Sequence, residues 1–544
     1  MADPGPCTSR TGFKRKLVGL FLLALSLLSL GSSYLAVSGG RSRKLLVRGA
    51  AVAGSAAGVA AGAAAAAPGA RPAPFRALLH NHKLLHGYEK GKRWDPGFWY
   101  YYEAGWYPIH VVADLFVACE DAARGPTLVV MSRRYRHTPQ LNHSELLLEV
   151  VREGGGGAAA RVALGPGEWE DSGLYESVAI GRYALPAHAS AGAAAACTAG
   201  AAAAPPLTLR LFLNTSFDYS AYFYEDLPDR PPESFYRGAA EAYFNVTRSP
   251  EPPPSDFAMV AIFSFSHYLL PLWMNYWRAI GVDTFYLFFN GPPEHLPALQ
   301  REVAGFEGAV VIVSWQVIHW LTTEPDDITH GQPIAINSAF QRWRHLHKFM
   351  AFYDTDELLV TPHHDSLQHF VEAYRAFRGP VTALRSMCSW AMLTNLTDHN
   401  ITSVAHVRLE HLASLPVQRG PPGGREKYLV NVTAAAEYGI RFINLHGVYS
   451  HQGHFGPGSA EVMAPEGSLP AYHLHLLNKD GGDDSQKNDS REVFMPAKGK
   501  EIQDHHLRDL IRRALAWRIA HHRGRGGARG SGGRGGAGSA GGVT

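Results

Sequence analysis

The chain has 544 residues, of which 46% are hydrophobic, 11% aromatic and 18% charged, with four cysteines and a formal net charge of +3. That length exceeds one core of ordinary size, and the cysteines are too few for a disulfide-dense scaffold and include no CxxC pair for zinc. The charge is divided: +7 over residues 1–48 and +5 over 518–544 leave the body at about −9, which argues against a nucleic-acid surface.

Leu17 to Ser38 is a 22-residue run without charge, long enough to cross about 30 Å of hydrocarbon as a helix. It predicts a cytosolic tail over 1–16, a transmembrane signal anchor over 17–38 and an Ala/Gly-rich stem over 39–73. A signal peptide cleaved near Ala36 to Gly39 is the alternative. Basic residues flank the run on both sides, so charge does not choose the orientation. The sequons do. Seven of the 13 asparagines stand in Asn-x-Ser/Thr (Asn142, Asn214, Asn245, Asn395, Asn400, Asn431 and Asn488), where chance gives about one or two. Because such sites are glycosylated only in the secretory lumen, the expected protein is single-pass, type II, with its body lumenal.

Residues 74–250 read as a β-rich accessory domain. Strand-like runs (HVVADLFVACE, PTLVVMSRRY, ELLLEVVRE, ARVALG, LTLRLFLNTS) are separated by turn residues, and a low-complexity insertion falls at 187–205. Trp94 to Tyr107 is dense in aromatic residues, which suit either a strand core or a sugar-stacking surface. SPEPPPS, Ser249 to Ser255, marks the boundary with a second region over 251–517, followed by an Arg/Gly-rich tail over 518–544.

In the second region, Phe257 to Phe263, Thr284 to Phe289, Ala309 to Trp315 and Phe349 to Tyr353 are continuous apolar runs of strand length. Helical patterns over Tyr268 to Ile280, stopped by Gly281, and over Gln332 to Lys348 lie between them. Buried strands alternating with helices predict an α/β fold with a parallel sheet covered on both faces.

The fourth run leads directly into Asp354-Thr355-Asp356-Glu357. In open α/β sheets ligands bind beyond the carboxyl ends of the strands, and clustered carboxylates there suit a hard divalent cation that bridges phosphate oxygens. No P-loop, HExxH or strand-borne GxSxG is present, so nucleotide cradles of that kind, zincins and α/β-hydrolases find no support.

Two segments, PLWMNYWRAIGVDTFYLFFN and GQPIAINSAFQRWRHLHKFMAFYDTDELLV, resemble glycosyltransferase family 92, also called the domain of unknown function 23 family. KYLVNVTAAAEYGIRFINLHGVYS adds to the likeness, and AYHLHLLN matches more loosely. The resemblance covers roughly Asp256 to Asn478 and implies a Rossmann-like GT-A nucleotide-sugar domain. Three positions depart from the family pattern, at Leu272, Trp277 and Phe289, which suggests an altered donor pocket.

What the resemblance implies is a Golgi-membrane transferase that moves a hexose, galactose from UDP-galactose in the first instance, to a glycan acceptor with inversion. Mn²⁺ or another divalent cation would be held by Asp354, Asp356 and a late histidine, a role that His446 suits better than His475. The general base would be one of Glu357, Asp398 and Glu437. Asn337, Arg344 and Lys427 would hold the donor, a polar helix face being the alternative for the first two and a solvated lysine for the third. The rival class is a non-catalytic, membrane-anchored glycan-binding protein on the same fold. A glycoside hydrolase is disfavoured, because only one strong acidic motif is present.

Overall fold

The structure, a computed structural model, describes residues 74–80, 84–86, 109–118, 125–133, 146–152, 160–171, 178–186, 189, 207–213, 240–246, 249–264, 266–315, 320–322, 328–330, 332–378, 382–393, 401, 406–419, 426–437, 440–444, 447–450, 461–462, 471–476, 502–503, 505–513 and 515–516. The expected anchor, stem, 187–205 insertion, aromatic stretch Trp94 to Tyr107 and C-terminal tail lie outside these residues, apart from Ala189. Among the described residues no helix is long and apolar enough to cross a membrane.

The first strand, β1 (Arg76–His80), lies at the start of the region 74–250. That region supplies β2 (Asp114–Ala118), β3 (Thr127–Arg133), β4 (Leu146–Arg152), β5 (Ala160–Ala163), β6 (Glu168–Asp171), β7 (Val178–Ala184), β8 (Leu207–Leu213) and β9 (Ala240–Val246). These form two four-stranded antiparallel sheets, ordered β2-β3-β7-β6 and β9-β8-β4-β5.

The second region begins with β10 (Ser255–Phe263), α1 (Leu270–Ala279), β11 (Thr284–Phe289), α2 (Leu296–Ala304), β12 (Ala309–Ser314), α3 (Gln332–Trp343) and β13 (His347–Phe352). It continues with β14 (Glu357–Val360), α4 (Leu367–Arg378), β15 (Ala383–Leu393), β16 (Lys427–Asn431), α5 (Val432–Glu437), β17 (Ile440–Asn444) and β18 (Tyr472–Leu476). Gly281 ends α1 at a φ of 115°, a conformation open to glycine at little cost, as its position after the helical stripe predicted.

The large sheet runs β1-β12-β11-β10-β13-β16-β15. Its first five strands are parallel, and β16 then pairs antiparallel with both β13 and β15. The expected parallel sheet is therefore half of a mixed one. The parallel strands are nearly all apolar because helices cover both faces, whereas antiparallel neighbours need no crossover helix. Strand order reverses at β10, so the chain leaves the carboxyl ends of β10 and β13 side by side. Ser266 Oγ, after β10, lies 2.6 Å from Thr355 Oγ1, after β13.

One strand from before residue 250 joins the large sheet, and the two four-stranded sheets lie wholly before that position. Pro72–Thr544 forms one compact unit, and β1, at the start of the region 74–250, is the edge strand of the large sheet. Arg76 fixes that edge: its Nε donates to the Val303 carbonyl at 3.1 Å, and its terminal nitrogens donate to the carbonyls of Gly308 and Phe306. On one face of the sheet, α1 and α2 pack with Phe285, Leu287 and Ile312; on the other, α3 packs with Tyr286, Phe288 and Met350 and with Phe116, Val129, Met131 and Ile180 of the β2-β3-β7-β6 sheet.

The helix expected over Gln332 to Lys348 ends earlier. Trp343 stacks on Tyr286 (centroids 4.1 Å apart, 14° between planes) and donates to the Pro250 carbonyl, and a 3₁₀ turn over Arg344–Leu346 delivers the chain into β13. Replacing Arg76 by Met should remove the charged donors that join β1 to the α2–β12 turn, and lower unfolding free energy by about 2 kcal/mol in a denaturant titration.

Candidate functional site

The acidic segment turns immediately after β13. The Glu357 amide donates to the Asp354 carbonyl at 3.0 Å, and the Asp354 amide donates to Glu357 Oε2 at 2.8 Å, so the turn is closed by its own residues. Lys427, the first residue of β16, is brought alongside by the antiparallel β13/β16 pairing. Its ammonium lies 2.8 Å from Asp354 Oδ2 and 3.2 Å from Glu357 Oε2 with its side chain 3% exposed. Gln332, at the start of α3, donates to the other Asp354 oxygen at 3.1 Å.

Two histidines complete the cluster. His473 and His475 alternate along β18 and so project from the same face. His475 Nε2 lies 3.2 Å from Asp356 Oδ2; His475 Nδ1 and His473 Nε2 lie 3.6 and 3.7 Å from Glu357 Oε1. The His475 ring is stacked against Trp390 of β15 at 4.4 Å. Beneath them Ser386 Oγ is 2.9 Å from His473 Nδ1 and 2.8 Å from the Tyr353 hydroxyl. Trp273 and Trp277 of α1 both donate their indole N–H to the Glu357 carbonyl, at 3.1 and 3.3 Å.

These contacts set the charges. Burial pushes the Glu357 carboxyl up, Lys427 opposes it, and the balance is a rise to about 7. For Asp354 burial also pushes upward, but the charge and hydrogen bond of Lys427 outweigh it and hold the carboxyl below its ordinary value. Burial would lower Lys427, yet its two carboxylates raise it, so the ammonium stays charged.

Of the residues expected at the site, Asp354, Asp356, Glu357 and Lys427 are brought together. Glu357 is 1% exposed and braces the turn and Lys427, so it does not face an acceptor as a base would. Lys427 is not a solvated lysine; it is the countercharge of two carboxylates. Asn337 faces β17: its Nδ2 donates to the Ile443 carbonyl and its Oδ1 accepts from the Ile443 amide. Arg344 lies past the far end of α3 from Gln332, roughly 18 Å along the helix axis, so it does not reach the acidic segment. Glu437 is exposed at the end of α5, which starts beyond Asn431, the opposite end of β16 from Lys427.

Asp398 and His446 lie outside the described residues, as do Asn142, Asn214, Asn395, Asn400 and Asn488. Asn245 lies in β9, and half-buried Asn431 caps α5 through the Ala434 amide. Leu272, Trp277 and Phe289 are core residues, and Trp277 bears on the acidic segment from beneath.

Sequence reasoning missed Gln332 and passed over His475 in favour of His446. The alternating histidines in AYHLHLLN, a pattern that puts both on one strand face, were the available signal. For Gln332 there was none beyond its place before a helix.

The model of glycosyltransferase family 92 matches residues 259–444, from within β10 to the end of β17, and so includes Gln332, Asp354, Asp356, Glu357 and Lys427. Residues 259–444 are a glycosyltransferase family 92 domain. The protein is thus an enzyme of the transferase class. His473 and His475 lie beyond the matched segment yet complete its acidic cluster.

No curated protein matches the chain. Among solved structures, 4-diphosphocytidyl-2C-methyl-D-erythritol synthase from Anaerococcus prevotii DSM 20548 is similar at 8% identity, over 48% of this chain and 99% of that one, with a TM-score of 0.20. HddC from Yersinia pseudotuberculosis is 12% identical over 41% and 90%, with a TM-score of 0.21. Mouse xyloside xylosyltransferase 1, apo form, is 12% identical over 34% and 69%, with a TM-score of 0.17. Likenesses of that size do not bear on the chemistry.

Asp356 and His475 offer a carboxylate oxygen and an imidazole nitrogen at one spot, a donor pair that suits Mn²⁺. Among the described residues no three His, Cys, Asp or Glu side chains form a group that could hold a metal ion. That is compatible with ions such as Mg²⁺, which bind through one or two carboxylates and take remaining ligands from substrate phosphates.

The raised Glu357 carboxyl gives a signed prediction. Between its ordinary value of 4.5 and about 7 the folded protein holds a proton that the unfolded chain has lost. Its contribution to stability is therefore full below pH 4.5 and is lost as pH rises through 7. Glu357→Gln removes that slope, so raising pH from 4.5 to 7.5 should favour the variant over wild type by on the order of 2 kcal/mol, read by denaturant unfolding at each pH. Asp354, held low, loses its contribution only at more acid pH.

Proposed function

We propose that the family 92 domain transfers a hexose from a UDP-sugar to a glycan acceptor with inversion, with UDP-galactose the first donor to test. The observation that supports this reading is the placement of Asp354, Asp356 and His475 where β10 and β13 present their carboxyl ends at the reversal of strand order. Asp356 and His475 would hold a divalent cation, Mn²⁺ for preference, which supplies Lewis-acid neutralisation of charge on a leaving diphosphate.

The chain's own residues do the rest. Lys427 and Gln332 fix the Asp354 carboxylate from two directions, and the indoles of Trp273 and Trp277 fix the backbone behind it. Inversion calls for a base at the acceptor hydroxyl. With Glu357 enclosed and Glu437 beyond the opposite end of β16 from Lys427, Asp398, which follows β15 in the sequence, is the candidate carried forward. The seven sequons and the apolar run over 17–38 support a type II Golgi-membrane topology with this domain in the lumen.

The test is UDP release by the full-length protein from a panel of UDP-sugars, with glycan acceptors, with and without Mn²⁺. Metal-dependent turnover of one donor is expected, falling by at least about a hundredfold in Asp354→Asn/Asp356→Asn. Turnover of no donor by folded protein would sink the transferase reading in favour of a glycan-binding protein. For the topology, a mobility shift on enzymatic removal of N-glycans is expected, and its absence would count against a lumenal body.

A further inference from the structure

Helix α3 is enclosed along its whole length: each residue from Gln332 to Trp343 is buried. A helix so placed is ordinarily apolar all round, because a polar side chain shut away from water costs free energy unless paired. This one carries five long or polar side chains, Gln332, Asn337, Ser338, Gln341 and Arg342, and each has a defined partner. Gln332 reaches Asp354, and Asn337 reaches Ile443 of β17. The other three reach the β2-β3-β7-β6 sheet.

There the contacts are charge-assisted hydrogen bonds. Arg342 Nη2 lies 2.7 Å from both oxygens of Asp114, with side chains 2% and 0% exposed. Ser338 Oγ donates to the same carboxylate at 2.5 Å, and Arg342 also donates to Ser249 Oγ. The guanidinium sits over the Phe116 ring at 3.9 Å. Arg182 of β7 donates to Gln341 Oε1 at 2.9 Å. A buried bidentate pair of this kind is rigid, and removing one partner costs about 3–5 kcal/mol.

We infer that the β2-β3-β7-β6 sheet is a positioning element for the acidic segment, acting through α3, and that Asp114 and Arg342 are positioning residues for Asp354. The sheet anchors one end of a stiff helix whose other end holds an Asp354 oxygen through Gln332. The β-rich region is on this account part of the catalytic machinery's support, not a separable glycan-binding module. The kinetic arm of the test rests on the transferase reading, and the exchange arm does not.

The test uses full-length protein carrying Asp114→Leu with Arg342→Met, an apolar pair of similar volume that leaves no charge unpaired and commonly preserves folding. Amide exchange is followed over residues 349–360, where the Asp354 amide bonded to Glu357 is the reporter. Support is a single unfolding transition near that of wild type, exchange over 349–360 about tenfold faster, and a kcat about tenfold lower with acceptor KM unchanged. Unchanged exchange together with unchanged kcat would overturn the inference. So would a separate early transition of residues 109–246 that leaves 349–360 protected. Should the paired variant not fold, Arg182→Met removes the Gln341 contact together with the Glu170 ion pair inside the sheet, leaves Asp114 and Arg342 paired, and the same faster exchange is required of it. Absence of turnover in the wild type would count against the transferase reading alone, since the exchange result is read without substrate.

Discussion

The site depends on one buried ammonium. Lys427 stands between Asp354 and Glu357, with its side chain 3% exposed, in surroundings where three carboxylates would repel one another without it. Its charge explains why two neighbouring acids diverge: Glu357, fully enclosed, rises, while Asp354, closer to the ammonium and 28% exposed, falls. The segment therefore presents one firmly ionised, partly open carboxylate beside a second that serves as internal brace. That separation of duties within four residues follows from burial and from which oxygen the lysine touches.

The cluster is braced from three directions. From below, two indoles converge on the Glu357 carbonyl, and the Tyr276 hydroxyl donates to the Leu359 carbonyl. From the side, β18 places His475 against Asp356 while the Leu476 amide donates to the Asp356 carbonyl. From across the sheet, Gln332 holds Asp354 at the end of a helix whose polar residues are all engaged. Each brace comes from a different stretch of the chain, so the geometry of four consecutive residues is set by partners from 22 to 120 positions away.

The same arrangement changes how the β-rich region is understood. Its antiparallel sheets follow from alternating runs separated by turns, but a buried Arg342–Asp114 pair makes one of them a covering layer for α3. An aromatic-rich module ahead of a catalytic domain invites the idea of a detachable lectin. Buried charge at the junction argues otherwise, since separating the parts would expose or strand it.

Local pattern determined a great deal. β11 runs from Thr284 to Phe289, as the apolar run predicted, and β10, β12 and β13 fall within a residue or two of their runs. Gly281 stops α1, and Asp354 to Glu357 sit at a strand's carboxyl end, because continuous hydrophobicity, helical spacing and a glycine stop act over a few residues. What tertiary structure alone decided is who meets whom. Nothing local in Lys427 distinguishes a solvated lysine from a buried countercharge; the antiparallel pairing of β13 with β16 does. Nothing local in Asn337, Arg344 or Glu437 says which way they face, and the topology turns each away from the acidic segment while bringing in Gln332 and His475. The sequence determined the acidic turn because that turn is made by neighbours along the chain; its charges were settled by residues that only folding brings within 4 Å.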